Sequence, residues 1–260
     1  MKNQLRGGKE RLSTEQNPIN VYAYTGKRMV EMMNLHTHTT FSDGRYPPRE
    51  IIEAGVEFGL THIAITDHYM TSKVDSIPFD KLLSYIQEIK ALAEEFQDQI
   101  KVLCGVEFDA CNKRTDFSKI RYEDLNSLDL VLFEYVQNDI WNGMPLWELL
   151  RIRENIKCPV GLAHNDIGKN FSHTKYDELI AVLEANKIFI ELCPSLRNSK
   201  LNTPYYHFAE GFFASLRGTE VLISIGTDTH SNIKSVGNIS DAMEFIESYG
   251  LGDNLITKIF

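Results

Sequence analysis

Seven short apolar runs rich in β-branched residues recur from residue 31 onward, and polar residues recur at the C-terminal end of nearly every one. They cover residues 32–36, 62–66, 101–107, 128–136, 159–164, 188–193 and 221–227. Between them lie longer stretches of helical period. One follows Pro47-Pro48, residues suited to a first helical turn. The longest covers 79–96, with Leu82, Leu83, Ile86, Ile89 and Leu92 on one apolar stripe. Others fall near 145–155, 175–186, 205–216 and 240–249. Strand–helix alternation without domain-sized gaps predicts a parallel sheet. An open doubly wound sheet satisfies the alternation too. Polar residues gathered at one end of nearly every strand favour a closed α/β barrel, in which that face carries the site.

A chain of 260 residues suits a single barrel, which runs to roughly 250 residues. With 43% hydrophobic and 24% charged residues it is neither disordered nor fibrous. Residues 1–30 are polar and basic on balance, and read as an N-terminal extension (an arm, an oligomer contact or a cloning remnant) outside a catalytic unit over 31–260. The net charge of −9 disfavours long nucleic acid but leaves room for a small anionic substrate. The four cysteines, Cys104, Cys111, Cys158 and Cys193, form no CxxC pair and read as reduced, buried thiols in a cytoplasmic protein. No apolar run reaches the ~18 residues of a membrane span, and no apolar core of a secretory signal is present.

The polar strand ends carry the chemistry. His36 and His38 close the first run in Asn34-Leu35-His36-Thr37-His38. Residues two apart on a strand share a face about 7 Å apart, so the imidazoles can converge on one ion; alone, the pair equally fits two polar residues at a loop mouth. Asp43, in Phe41-Ser42-Asp43-Gly44, is either a turn former or a carboxylate ligand. The second run ends Thr66-Asp67-His68, where His68 reads as a ligand and Asp67, facing the other way, as its supporting partner. Glu107 ends the third run, and a carboxylate there is unfavourable unless paired or metal-bound. His164 ends the fifth. Asp228 and His230 repeat the i, i+2 relation after the seventh. His62, His173 and His207 share no such address.

The ordered motifs LHTHTTFSDG, ITDH, GVE, a histidine after the fifth strand and TDTH resemble those of the PHP family (polymerase and histidinol phosphatase) over about residues 33–240. The resemblance implies a distorted (β/α)7 TIM-like barrel with two or three divalent ions, usually zinc, manganese or iron. It implies that His36, His38, Glu107 and Asp228 hold one ion, that Asp43, His68 and His230 hold another, and that Glu107 and His164 contribute to a third. The family's usual histidine at the end of the fourth strand falls on Val136, which cannot ligate. Glu134 and Asn138 are the substitutes on that face if the strand continues.

The implied activity is hydrolysis of a small phosphomonoester, of histidinol-phosphate or nucleotide type, by a metal-held hydroxide near Glu107. Arg197 resembles a phosphate-gripping arginine of histidinol phosphatases, and equally reads as a surface loop residue. Cys193 is a packing thiol or a soft ligand near the rim. Two other readings remain open: a metal-binding PHP-fold protein whose site has decayed at Val136, and an amidohydrolase-type metal hydrolase. The latter also opens with HxH, but commonly bridges its metals with lysine where this chain has Glu107.

Overall fold

The computed structural model describes residues 31–260, and the extension expected over residues 1–30 lies outside them. Nine strands occur in this part: β1 (Met33–Asn34), β2 (His62–Ile65), β3 (Lys101–Asp109), β4 (Leu130–Glu134), β5 (Val160–Leu162), β6 (Ile188–Leu192), β7 (Arg197–Asn198), β8 (Thr203–Pro204) and β9 (Ile223–Ile225). β7 and β8 form a small antiparallel pair in the loop after β6. The other seven make one sheet in the order β1-β2-β3-β4-β5-β6-β9, with parallel pairing throughout. The amide of Leu35 donates to the Ile225 carbonyl (2.7 Å), that of Asp228 to His36 (2.9 Å) and that of His38 to Thr229 (2.9 Å). These bonds draw the two edges together into a nearly closed barrel of seven parallel strands.

Strands covered on both faces need near-continuous apolar sequence, and β3 is buried at every residue after Lys101. Helices cover the outside. Pro48 opens the helix Pro48–Glu57, where its missing N–H leaves nothing unpaired that a first turn would have satisfied. The long helix begins at Leu82, after a single 3₁₀ turn over Phe79–Lys81, three residues later than the apolar period predicts. Leu83 is 48% exposed, and Tyr85 takes its place inside. The Tyr85 hydroxyl lies 3.0 Å from the Ile65 carbonyl and 2.8 Å from that of Gly105, joining the helix to β2 and β3 through one polar group.

The fourth strand departs from expectation in a way that matters for the site. It stops at Glu134, two residues early, because Tyr135 and Gln137 take left-handed backbone angles (φ 63° and 60°) that turn the chain out of the sheet. Val136 is fully buried in the core, and Glu134 is the residue at the rim. Asn138 sits in the turn, its side-chain oxygen accepting the amides of Ile140 and Trp141. All four cysteines are free and buried. Among the described residues no helix is long and apolar enough to cross a membrane.

Candidate metal centre

A cavity of about 410 Å³ opens where the strands end; Asp43, His68, Glu107, His164, Asp228 and His230 line it. His36 and His38 lie beneath, fully buried. All eight residues singled out from the sequence as ligands therefore meet at one rim, and they fall into groups. The donor atoms of His36, His38, Glu107 and Asp228 lie within 4.8 Å of one another, as do those of His38, Asp43, His68 and His230. A third such group joins His68 and Glu107 to Glu134. His164 stands between groups, its Nε2 3.2 Å from Glu107 Oε1 and 3.8 Å from Glu134 Oε2.

Glu107 is central. Its Oε2 lies 3.3 Å from His36 Nε2, 3.4 Å from His38 Nε2 and 3.2 Å from His68 Nδ1. Asp228 Oδ1 is 3.2 Å from His38 Nε2, and Asp43 Oδ1 is 3.3 Å from His230 Nε2. His164 and Asp228 have left-handed backbones (φ 31° and 52°), a conformation non-glycine residues hold only when their surroundings enforce it.

This donor set fits divalent cations. Both Glu107 oxygens, His38 Nδ1 and His68 Nδ1 are buried without a properly oriented hydrogen bond. Such orphaned groups cost about 1–3 kcal/mol each, and a cation would satisfy several of them. His36 Nε2 and His38 Nε2 approach to 3.0 Å. Two imidazole nitrogens at that separation need a proton or a cation between them.

The electrostatics of the protein alone point the same way. Burial would lower the pKa of His36, but Glu191 and Glu107 beside it raise it well above the ordinary value. Against the same burial, Asp228 and Glu107 hold His38 up at about 9, and Glu107 does the same for His164. The Glu107 carboxyl, despite its burial, is pulled well down by His36 and His68. His68 is pushed down to about 3 by burial, and Glu134 is pushed up to about 7 by burial with Glu107 as neighbour. Protons on imidazoles thus balance the carboxylates that metal ions would otherwise neutralise.

Supporting groups complete the site. Asp67 accepts the Thr39 amide (2.7 Å), the Thr39 hydroxyl (2.7 Å) and the Ser42 hydroxyl (2.6 Å), bracing the loop that presents Asp43. Glu191, which the sequence reading passed over, sits fully within β6 against His36. Its signal is a lone carboxylate inside the apolar run Ile188-Phe189-Ile190-Glu191-Leu192. Lys73 was also passed over; it lines the cavity and pairs with Glu134. Arg197 donates from Nε to the Pro194 carbonyl (2.8 Å) and from Nη1 to the Asn202 carbonyl (2.9 Å), bracing the β7–β8 pair with two of its five N–H donors. Cys193 is buried, which pushes its thiol pKa well up and fits packing.

Known proteins resemble this chain in sequence and in fold. Over 102 residues, 38% of this chain, it is 36% identical to the DNA polymerase/3'-5' exonuclease PolX of Bacillus subtilis, but spans only 17% of that protein. It is 25% identical to the histidinol-phosphatase of Lactococcus lactis over 253 residues, 85% of this chain and 92% of the relative. Among solved structures, the Lactococcus lactis histidinol phosphate phosphatase, complexed with zinc, L-histidinol and phosphate, superposes with a TM-score of 0.59 at 19% identity, covering 85% of this chain and 94% of that one. A putative histidinol phosphatase of Listeria monocytogenes gives 0.54 at 13% identity, covering 81% and 99%. These two likenesses are of fold. The model of the PHP domain matches residues 34–249, and the chain belongs to that family.

Proposed function

We propose that this protein is a metal-dependent phosphoesterase that hydrolyses a small phosphomonoester of histidinol-phosphate or nucleotide type. The observation that carries the reading is the buried Glu107, whose unpartnered oxygens face His36, His38, His68 and His164 across the join between donor groups. When bound, divalent ions at such a site lower the pKa of water and neutralise charge on the attacking and leaving oxygens of a phosphate ester. His36, His38, Glu107 and Asp228 would hold one ion, and Asp43, His68 and His230 a second. Zinc suits this nitrogen and oxygen donor set, as do manganese and iron. The cavity, about 410 Å³, has the size of a small-molecule site. The Lactococcus lactis relative, which carries zinc, L-histidinol and phosphate, supports the substrate class. Four free thiols suit a reducing, cytoplasmic setting.

The test is turnover on a panel of phosphomonoesters with added zinc or manganese, beside elemental analysis of the protein. His36→Ala with His38→Ala should abolish both metal content and hydrolysis. Full turnover in that variant would sink the proposal. Bound metal in the wild type with no hydrolysis across the panel would favour a metal-binding protein with a decayed site.

A further inference from the structure

The third donor group differs from the other two. His68 also belongs to the group around Asp43, and Glu107 to the group around His36, so Glu134 is the one side chain the third group has to itself. That carboxylate already has a cation. Lys73 Nζ sits on Glu134 Oε1, donates to the Tyr135 hydroxyl at 3.2 Å and stands 4.8 Å from the centroid of the Tyr135 ring. The loop that carries Lys73 is pinned close to the ligands. The Tyr69 amide donates to the Glu107 carbonyl (3.0 Å), the Ile77 amide to His68 (2.8 Å) and the Lys73 amide to the Thr71 hydroxyl (3.1 Å).

We propose that Lys73 is the resident third cation of this site, an ammonium where a third metal ion would otherwise sit, and that it donates to a phosphoryl oxygen of the substrate. An ammonium has three N–H donors. Glu134 and Tyr135 engage two, which leaves one for a ligand in the cavity that Lys73 lines. The Lys73 side chain is 19% exposed and that of Glu134 is 2% exposed, so the pair presents its positive member to the cavity. Glu134 fixes the ammonium and removes itself as a competing negative charge. A tetrahedral dianion then meets metal ions on one side and a fixed lysine on the other, the arrangement that neutralises a phosphate from several directions. This inference rests on the phosphoesterase reading for the identity of its ligand. Its readouts, metal count and phosphate binding, do not depend on turnover.

The experiment uses the full chain saturated with zinc and freed of excess. Elemental analysis counts zinc per chain, and calorimetry measures the affinity for inorganic phosphate. The variants are Lys73→Arg and the double substitution Lys73→Met with Glu134→Gln, which removes both charges together and leaves no buried ion unpaired. Two zinc ions per chain are expected in all three proteins. Phosphate affinity should fall about tenfold or more in the double variant, as loss of a charged hydrogen bond implies, and stay near wild type in Lys73→Arg. Three zinc ions in the wild type would overturn the proposal without recourse to any variant. So would a double variant that binds phosphate as tightly as the wild type, since Lys73 would then be a counter-ion to Glu134 and nothing more. A failure of the phosphoesterase reading shows up separately, as a wild type that binds zinc and phosphate but cleaves no ester.

Discussion

Glu191 Oε1 stands 2.9 Å from His36 Nδ1, while Glu191 Oε2 accepts the backbone amide of His164 at 2.7 Å. One carboxylate therefore orients a ring from the first strand end and anchors the rim after the fifth. With Nδ1 engaged, His36 turns Nε2 toward Glu107 and Asp228. Outer partners of this kind are worth about 10–100-fold in metal affinity. Glu191→Gln should weaken zinc binding by that order, measured by competition with a chromophoric chelator. Unchanged affinity would show that His36 is held by packing alone.

Gly226 makes room for that pair. A Cβ there would lie 2.0 Å from Glu191 Oε1 and 2.4 Å from His36 Cβ, so no side chain fits without moving both. Gly226→Ala is expected to destabilise the fold by about 1–3 kcal/mol, the usual range for overpacking, and to lower zinc content with it. Urea unfolding and elemental analysis on the same sample check both effects.

The loop presenting Asp43 depends on Asp67, which accepts three hydrogen bonds from Thr39 and Ser42 while buried. Asp67→Ala leaves three donors without their acceptor, at about 1–3 kcal/mol for a buried group. The predicted result is a lower unfolding midpoint and selective loss of one zinc ion, that of the group containing Asp43. Loss of all metal at once would instead mean that the whole rim had collapsed.

Much of this was legible in the residues. The seven strands follow from apolar runs with helical stretches between them, because a parallel sheet must bury both faces, and the polar strand ends favoured closure into a barrel. His36 and His38, Asp228 and His230 were readable from i, i+2 spacing at strand ends. Glu191 stood out only as a lone carboxylate in an apolar run, and nothing there names its partner, a residue 155 positions away. Lys73 was hidden altogether: a lysine in a polar loop gives no sign of the buried carboxylate it will meet. The end of the fourth strand was misplaced by two residues, since nothing in Glu134-Tyr135-Val136 announces a left-handed turn at a tyrosine. That shift put Val136 in the core and left Glu134, one of the two candidate substitutes, at the rim. The 3₁₀ turn before Leu82 similarly moved Leu83 outward and Tyr85 inward.

The metal-free protein should lose stability as pH rises from about 6.5 toward 9. His38 and His164 are held at about 9 in the fold, above the ordinary 6.5, and His36 is raised in the same direction. Groups with raised pKa stabilise fully below their unfolded value, and that contribution disappears as pH climbs through the folded one. His68, pushed down to about 3, opposes this only at the lower edge of the window, where the unfolded imidazole is still partly protonated, and is neutral in both states above it. Thermal melts of chelator-treated protein at pH 6.5, 7.5 and 9 should show a falling midpoint. The zinc-loaded form, whose imidazoles have given up those protons, should show a flatter profile.

The seam where Leu35, His36 and His38 meet Ile225, Asp228 and Thr229 has a consequence for how such a chain is made. Asn34 and Thr227, bonded through their side chains at 2.7 Å, are 193 residues apart in sequence. A nascent chain still lacking its last strand holds three of the four donors of each larger group and wants only Asp228 and His230. Closing so long a loop costs entropy that burial of the core on both sides of the seam has to offset, and the last two donors come into place only when the ring shuts.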